Sequence, residues 1–192
     1  EVELWGKARP NAVVTVKTSW NNRVYKSSSD GKGNWSLKVS TPVAGGPYKI
    51  TFNDGELLTL QNILIGEVWF CSGQSNMEMP MGGFDRQPVR GTNDLSAVSY
   101  YFACYIQEVL EVPVGIVVST WGGSKVEAWM SRESIKSFDS IDLSILDNDA
   151  ELKNPTATPC VLYNAKIAPL THFAVKGFLW YQGESNRDNA GL

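Results

Sequence analysis

Three short apolar segments, each followed by a polar turn that contains glycine, constrain the fold of this chain more than any other feature of its sequence. The segments cover residues 67–71, 114–119 and 177–181. Between the first two, apolar residues recur at helical spacing, at positions 98, 101, 102, 105, 106, 109 and 110. Strands that alternate with helices favour a parallel sheet covered by helices. We therefore expect an α/β domain in which the second segment is buried on both faces and the third is also buried.

Two further stretches, residues 131–138 and 161–170, also have a helical pattern. The helix expected over residues 98–110 is preceded by three candidate capping residues, Asn93, Asp94 and Ser96. A short polar side chain at that position accepts a hydrogen bond from the first helical turn, so we expect one of the three to cap the helix.

Residues 1 to about 62 have a different pattern, in which short strands alternate with turns. Residues 13–18 are rich in β-branched side chains, and residues 34–39 alternate between apolar and polar. Turn-forming sequences separate such runs, at positions 21–22, 30–33, 45–47 and 53–55. Short strands at this spacing favour a small β-sandwich. We predict a β-sandwich-like domain over residues 1–65 and an α/β domain over residues 66–192.

Three tryptophans of the N-terminal segment, Trp5, Trp20 and Trp35, have two interpretations. They could form an aromatic platform for a sugar ring, or they could pack in the core of the domain. Large aromatic side chains usually bury most of their surface, and we favour the core.

Composition excludes several classes of function. The chain has 17 Lys and Arg against 20 Asp and Glu, a formal net charge of −3, and it lacks basic runs. Binding to nucleic acid is therefore not expected, because the phosphate backbone is bound by clustered positive charge. A membrane span is not expected either, since no apolar stretch approaches the roughly 20 residues that one requires.

The cysteines give little support to a disulfide scaffold or a zinc site. Cys71, Cys104 and Cys160 are odd in number and widely spaced. Each has apolar neighbours in the sequence, so we expect all three to pack as small hydrophobic side chains. The single histidine, His172, also rules out a histidine-rich metal site, and we expect no cofactor.

The three polar turns contain the groups that acyl transfer requires: a hydroxyl nucleophile and donors aimed at a developing oxyanion. Ser75 is our candidate nucleophile, because it follows a strand and a glycine and could begin a helix. The backbone N–H groups of Ser75 and of Gly122 or Gly123 could stabilise the oxyanion, together with the side-chain amide of Gln182 or Asn186. A serine at a strand-to-helix turn is more often a cap, and Met77 breaks the G-x-S-x-G pattern.

Two other classes of function remain open on these residues. A glycosidase would use two carboxylates about 5–5.5 Å or 6.5–9.5 Å apart, and Glu67, Glu78, Glu127 and Glu184 are the candidates. A non-catalytic carbohydrate-binding protein would need none of these groups.

Three long motifs resemble those of the sialate O-acetylesterases, a family of the SGNH-hydrolase superfamily. They cover residues 66–77, residues 113–129 and residues 180–186, in the family's order. The β-rich segment before them is also similar to the sandwich that precedes the catalytic domain in bacterial members. The resemblance implies an SGNH-type three-layer α/β/α domain with a parallel sheet, preceded by a small N-terminal β-sandwich domain. It also implies an extracytoplasmic location, periplasmic or secreted.

The activity that the resemblance implies is hydrolysis of O-acetyl esters on sialic acids or other sugars through a serine acyl-enzyme. Ser75 matches the nucleophile, and Gly122 or Gly123 matches the second oxyanion donor. Gln182 stands where the family has a side-chain amide donor. Asn76, Glu184 and Asn186 are expected to support these groups, with Glu184 as a buried carboxylate that organises the third turn. The substrate would be an O-acetylated carbohydrate, with no metal or organic cofactor.

Two departures from the family pattern lead us to expect that this sequence is part of a longer gene product. The family takes its catalytic Asp and His from a D-x-x-H motif well after the third block, and the 192 residues contain no such motif. His172 precedes the third strand, and we expect it to be structural or exposed rather than catalytic. Family members also have a longer segment where residues 94–95 join the helix here, and residues 139–159 are expected to be shortened too.

Overall fold

The structure is a computed structural model that describes residues 1–83, 94–147 and 154–189. Contacts divide the chain into two units. The first contains Glu1–Glu67 and Gln107–Gly115, and the second contains Val68–Ile106 and Ile116–Leu192. Among the described residues, no helix is long and apolar enough to cross a membrane.

The first unit is built from six strands that form two antiparallel sheets. The strands are β1 (Val2–Lys7), β2 (Val13–Thr18), β3 (Val24–Ser28), β4 (Asn34–Val39), β5 (Gly45–Asn53) and β6 (Leu57–Ile65). One sheet pairs β1 with β4, and the other has the order β3-β2-β5-β6. The predicted strands over residues 13–18 and 34–39 have the predicted bounds, because their sequence period of two matches the alternation of a strand.

The core of this unit forms around the inward side chains of β2. Val14 and Val16 are buried and pack with Trp35 and Ile50. Burying an aliphatic side chain of this size stabilises the fold by about 1.5–3 kcal/mol. Trp35 is 8% exposed, so the core interpretation is confirmed for it. Trp20 packs partly buried against the same cluster and donates its indole N–H to the carbonyl of Ser40 at 2.9 Å.

The turn predicted at residues 45–47 is wrong. These residues begin β5, where Gly45 pairs with Ile65 and the register then shifts before Tyr48. Gly46 has φ +137°, and a Cβ on it would lie 2.7 Å from the carbonyl oxygen of Ile63. A close approach of β6, rather than a chain reversal, is therefore the reason for glycine at this position.

The second unit contains a three-stranded sheet with the order β8-β7-β9. Its strands are β7 (Glu67–Gly73), β8 (Val114–Thr120) and β9 (Gly177–Tyr181). β7 and β9 are parallel. β8 runs in the same direction as β7, since Glu67 N donates to Pro113 O where both strands begin and Trp121 N donates to Gly73 O where both end. The predicted parallel sheet is confirmed.

The helices agree with the sequence pattern in position more than in length. They are α1 (Ser75–Glu78), α2 (Ala97–Leu110) and α3 (Arg132–Ile135), with α3 shorter than the predicted 131–138. Ser96 caps α2, because its Oγ accepts from the backbone N–H of Ser99 at 3.2 Å. Residues 161–170 are helical, and they include a π-helical turn (Tyr163–Ile167) and a 3₁₀ turn (Ala168–Leu170). Further 3₁₀ turns cover Val126–Trp129, Ser144–Asp147 and Glu184–Asn189.

Burial of β8 and β9 was predicted and is wrong for much of their surface, and apolar side chains of α2 are exposed too. Val118 is 37% exposed on β8, Phe178 is 71% exposed on β9, and Tyr105 is 67% exposed on α2. In the described sheet only β7 has a neighbour on both sides, so β8 and β9 are outer strands. Apolar composition indicates that a surface is suited to burial, but it does not identify what covers it.

Two of the three cysteines pack as predicted. Cys71 and Cys160 are buried, and burial raises the pKa of both thiols because it disfavours the thiolate. Cys104 is exposed on α2, so the prediction is wrong for this residue. Its apolar neighbour along the chain, Tyr105, is itself 67% exposed, so apolar neighbours in sequence did not indicate burial here.

The predicted deletions lie partly outside the described residues. Residues 84–93 and 148–153 are not described, so the stretch that leads to the expected junction at 94–95 and the central part of the 139–159 segment fall there. The same holds for the candidate cap Asn93.

Candidate functional site

The carboxyl ends of the three parallel strands lie together. Gln74, just after β7, donates its backbone N–H to the carbonyl of Tyr181 at 3.0 Å, where β9 ends. Trp121, just after β8, donates its N–H to the carbonyl of Gly73 at 3.1 Å. The first turn (residues 73–76), second turn (residues 121–124) and third turn (residues 182–186) therefore share one edge of the sheet, as predicted. Open parallel sheets place their sites at such an edge.

Gly73 allows the first turn to form. Its φ is +148°, and a Cβ on it would lie 2.0 Å from the carbonyl oxygen of Tyr181. A side chain at this position would therefore collide with backbone, and backbone cannot move away as a flexible side chain can. Glycine lets β7 end in contact with β9 while the chain turns toward Ser75.

Ser75 is the first residue of α1 and is half-buried. α1 has four residues, so its N–H groups act as individual donors and a helix macrodipole adds little. The buried side chain of Gln74 connects the first turn to the third, because its Oε1 accepts from the backbone N–H of Ser185 at 3.3 Å. The candidate nucleophile therefore lies on a short helical turn, directly after a residue that is hydrogen-bonded to the third turn.

Gly122 is the glycine of the second turn that lies against Ser75. A Cβ on Gly122 would be 3.7 Å from Ser75 Cβ and 2.8 Å from Glu78 Oε2. Gly123 has φ +69°, and a Cβ on it would have no described atom within 4 Å. The two glycines, which the sequence could not distinguish, therefore differ: Gly122 allows close approach to the candidate nucleophile, and Gly123 allows the left-handed turn.

The second turn is fixed to the packed part of the unit by Ser124. Its Oγ donates to the carbonyl of Trp121 at 2.8 Å and accepts from the indole N–H of Trp129 at 2.8 Å. Ser124 and Trp129 are buried, and Trp129 packs with Leu162. The backbone that carries Gly122 is thereby anchored two residues further along the chain.

A network of amides connects the third turn to the second. Gln182 Nε2 donates to the carbonyl of Ser124 at 3.1 Å and to Asn186 Oδ1 at 2.7 Å. Asn186 Oδ1 also accepts from Val126 N at 2.9 Å, and Asn186 Nδ2 donates to Glu127 Oε2 at 2.8 Å. Both side-chain N–H groups of Gln182 already donate hydrogen bonds. Its role as an oxyanion donor therefore stays a prediction, and it requires that one of these hydrogen bonds be replaced by one to the substrate.

Asn76 and Glu184 connect the first turn with the third. Asn76 Nδ2 donates to Glu184 Oε1. Glu184 is exposed, so the expectation of a buried carboxylate is wrong; it is the first residue of the 3₁₀ turn Glu184–Asn189. The contact with Asn76 still gives it a place between two of the three turns.

Of the four candidate carboxylates of a glycosidase, Glu67 lies away from the strand ends and the other three lie beside the three turns. Glu67 is the first residue of β7, about 20 Å from the strand end at the rise of a strand. Glu127 is hydrogen-bonded to Asn186 and Glu184 to Asn76. Glu78 lies on α1 beside Gly122.

His172 is exposed and precedes β9, the last residue of which is at the site. The five residues of β9 extend for about 13 Å, so His172 lies toward the opposite edge. This placement agrees with the expectation that His172 is not the catalytic base.

Sequence reasoning missed several contacts of the site. It gave no role to Gln74 or to Lys166, which has its Nζ 5.4 Å from the centroid of the Trp121 ring. It considered Glu78 only for a carboxylate pair, although a spacing of three places it beside Ser75 on a helix. The contact of Lys166 with the second turn has no local signal, because the two residues are 45 positions apart.

Comparisons with known proteins give relatives of one kind. No protein-family model matches the chain. The sialate O-acetylesterase of Homo sapiens is 27% identical over 237 residues, which cover 95% of this chain and 45% of the human protein. That of Rattus norvegicus is 28% identical over 262 residues, 95% of this chain and 48% of the rat protein. A crystal structure of a carbohydrate acetylesterase from Xanthomonas citri superposes with a TM-score of 0.79 and 31% identity, covering 96% of this chain and 47% of that one.

The resemblance to sialate O-acetylesterases is therefore confirmed over nearly the whole chain. The chain spans about half the length of the curated relatives it matches. The matched regions, of 237 and 262 residues, are longer than the 192 residues of the chain, so the relatives have additional residues within them.

Proposed function

We propose, from this relationship, that the protein to which the chain belongs is a carbohydrate esterase that removes O-acetyl groups through an acyl-enzyme on Ser75. The observation that carries the proposal is the position of Ser75 against Gly122, where the ends of three parallel strands meet. A hydroxyl beside a glycine backbone is the arrangement that acyl transfer to serine requires.

In the first half of the reaction, Ser75 Oγ attacks the acetyl carbonyl and its proton passes to a general base. The backbone N–H of Ser75 and that of Gly122 or Gly123 would donate to the resulting oxyanion. One donor of this kind is worth about 2.7–4 kcal/mol of transition-state stabilisation. The C–O bond to the sugar then breaks, and the sugar oxygen takes the proton back from the base as it leaves.

In the second half, water attacks the acetyl-serine, acetate leaves, and Ser75 regains its proton. The base would be the His of the D-x-x-H motif that the resemblance implies, oriented by the Asp. No metal or organic cofactor is needed for these steps. Without a base the hydroxyl is a weak nucleophile, so we assign the activity to the full natural length of the protein.

The remaining site residues would position these groups. Gln182 would supply a third donor to the oxyanion after exchanging one of its present bonds. Asn76, Glu184 and Asn186 would hold the three turns together through the bonds described above.

We also propose the finer architecture that the resemblance implies. Residues 66–192 would form the SGNH-type three-layer domain, and residues 1–65 a β-sandwich. The sandwich is supported by the core cluster of the first unit, which joins Trp35 of one antiparallel sheet with Val14, Val16 and Ile50 of the other. The substrate would be an O-acetylated sialic acid or another acetylated sugar, met outside the cytoplasm.

Acetate release tests the proposal. The protein in its full natural length is incubated with O-acetylated sialic acid, acetylated xylan and a chromogenic acetate ester, beside Ser75→Ala and the control Ser137→Ala. Ser137 is a surface serine with a hydrogen bond only to the carbonyl of Ser134 among those described. We expect loss of activity in Ser75→Ala alone. Full activity of Ser75→Ala contradicts the mechanism, and sugar binding without acetate release by the unmodified protein would favour the carbohydrate-binding alternative.

A further inference from the structure

The carboxylate of Glu127 is buried and is hydrogen-bonded to the third turn through Asn186. Its residue is 8% exposed, in the 3₁₀ turn Val126–Trp129. Its Oε2 accepts from Asn186 Nδ2 at 2.8 Å, and its backbone carbonyl accepts from Cys160 N at 2.9 Å. A buried charged group is costly unless it is hydrogen-bonded, so a buried carboxylate in this place requires a reason.

The orientation of Asn186 follows from Glu127. A carboxylate accepts hydrogen bonds and a backbone N–H donates them, whereas a side-chain amide can do both. Glu127 therefore requires the NH₂ group of Asn186 on its side, and Val126 N requires the carbonyl oxygen on the other. The same carbonyl oxygen of Asn186 also accepts from Gln182, so the NH₂ group of Gln182 points toward Asn186.

From these contacts we infer that Glu127 is a positioning residue of the proposed esterase: through Asn186 and Gln182 it fixes the third turn against the second. The inference rests on the proposed function. Gln182 in turn donates to the carbonyl of Ser124, two residues after Gly122, and so connects the third turn to the second. A change at Glu127 would let the two turns shift, and with them the distance from Gly122 to Ser75.

Such a shift acts on the rate more than on substrate affinity. A displacement of about 1 Å at a reacting group can lower catalysis on the order of 100-fold, even from a distance. In Glu127→Ala we expect kcat for a chromogenic acetate ester to fall by about 10- to 100-fold and KM to change by less than about threefold. The surface variant Glu133→Gln on α3 is the matched control, with unchanged kinetics.

A reversed pair separates positioning from loss of fold. Asn186→Asp places two carboxylates together and should lower kcat by at least about tenfold at pH 7.5. Adding Glu127→Gln supplies a side-chain NH₂ group that can donate to one oxygen of the new carboxylate at position 186. The other oxygen of that carboxylate still accepts from Val126 and Gln182. We expect this double variant to recover kcat to within about threefold of the unmodified protein. This recovery of kcat should be larger than any recovery of the melting temperature would explain.

Kinetics and thermal unfolding are measured for each variant in the full natural length of the protein. Unchanged kcat in a folded Glu127→Ala variant overturns the inference. If that variant does not fold, a double variant no more active than Asn186→Asp overturns it instead. An unmodified protein that releases no acetate is a different result, because then the proposed function itself fails and the inference with it.

Discussion

Substituting each glycine of the second turn by alanine tests the geometry around Ser75 most sharply, because the two positions should fail in different ways. At Gly122 the added methyl would lie 2.8 Å from Glu78 Oε2 and 3.7 Å from Ser75 Cβ. The first contact is with the far end of an exposed, flexible side chain, which can move. The second is ordinary van der Waals contact, so the fold accommodates the methyl while the space beside the nucleophile is filled.

The stability of Gly122→Ala should therefore change little. Replacing glycine by alanine stabilises by about 0.4–1 kcal/mol through the unfolded chain, which offsets the displacement of Glu78. Activity should fall on the order of 100-fold, because the methyl fills the space beside Ser75 and keeps the acetyl oxygen away from a backbone donor there; one such donor is worth about 2.7–4 kcal/mol.

Gly123→Ala should show the opposite behaviour. Its methyl meets nothing described within 4 Å, but its φ of +69° is in the left-handed region. Alanine there costs about 1–2 kcal/mol, so we expect a loss of this size in the free energy of unfolding.

Acetate release and thermal unfolding of the two variants, in the full natural length of the protein, give the comparison. Full activity in a folded Gly122→Ala variant would refute the assignment of this glycine to the oxyanion site. A large loss of stability in that variant, with none in Gly123→Ala, would refute the geometry.

Three further predictions concern stability and reactivity. Gly73→Ala should lower the free energy of unfolding by more than about 1–3 kcal/mol, since its backbone conformation alone costs alanine that much and the methyl would also meet a carbonyl oxygen at 2.0 Å; an unchanged free energy of unfolding would contradict this close approach. Ser124→Ala leaves the buried indole N–H of Trp129 without its acceptor, so urea unfolding should show a loss of about 1–3 kcal/mol, and a neutral variant would speak against the anchor. Iodoacetamide at pH 7.5 should modify exposed Cys104 well before Cys71, because burial shields the Cys71 thiol and raises its pKa above its usual value, which lowers its thiolate fraction; mass spectrometry that finds Cys71 modified first would contradict its placement.

Much of the fold could be predicted because its signals are local. The β-branched run at residues 13–18 and the alternation at residues 34–39 became β2 and β4 with the predicted bounds. The common edge of the three turns could also be predicted, because a parallel sheet brings its strand ends together.

The wrong predictions concern the tertiary neighbours of a strand or helix, which its own sequence does not determine. Val118 and Phe178 have apolar side chains in apolar runs, yet both are exposed, because burial depends on neighbouring elements and not on the run itself. The glycines at residues 45–47 resembled a turn because glycine is used both for chain reversal and for close approach of another strand.

The detail of the site was beyond the sequence for a related reason. Gly122 and Gly123 are adjacent and chemically identical, and only φ and the distance to Ser75 distinguish them. The bond between Glu127 and Asn186 joins residues 59 positions apart, so no local pattern indicates it.

Covalent labelling of Ser75 by a reagent for activated serines tests the central claim. The protein in its full natural length is treated with a fluorophosphonate, which labels activated serines, then digested and analysed by mass spectrometry. We expect one adduct, on the peptide that contains Ser75, with loss of acetate release in proportion to labelling. An adduct on a different serine, or complete labelling of Ser75 with full activity, would contradict the account.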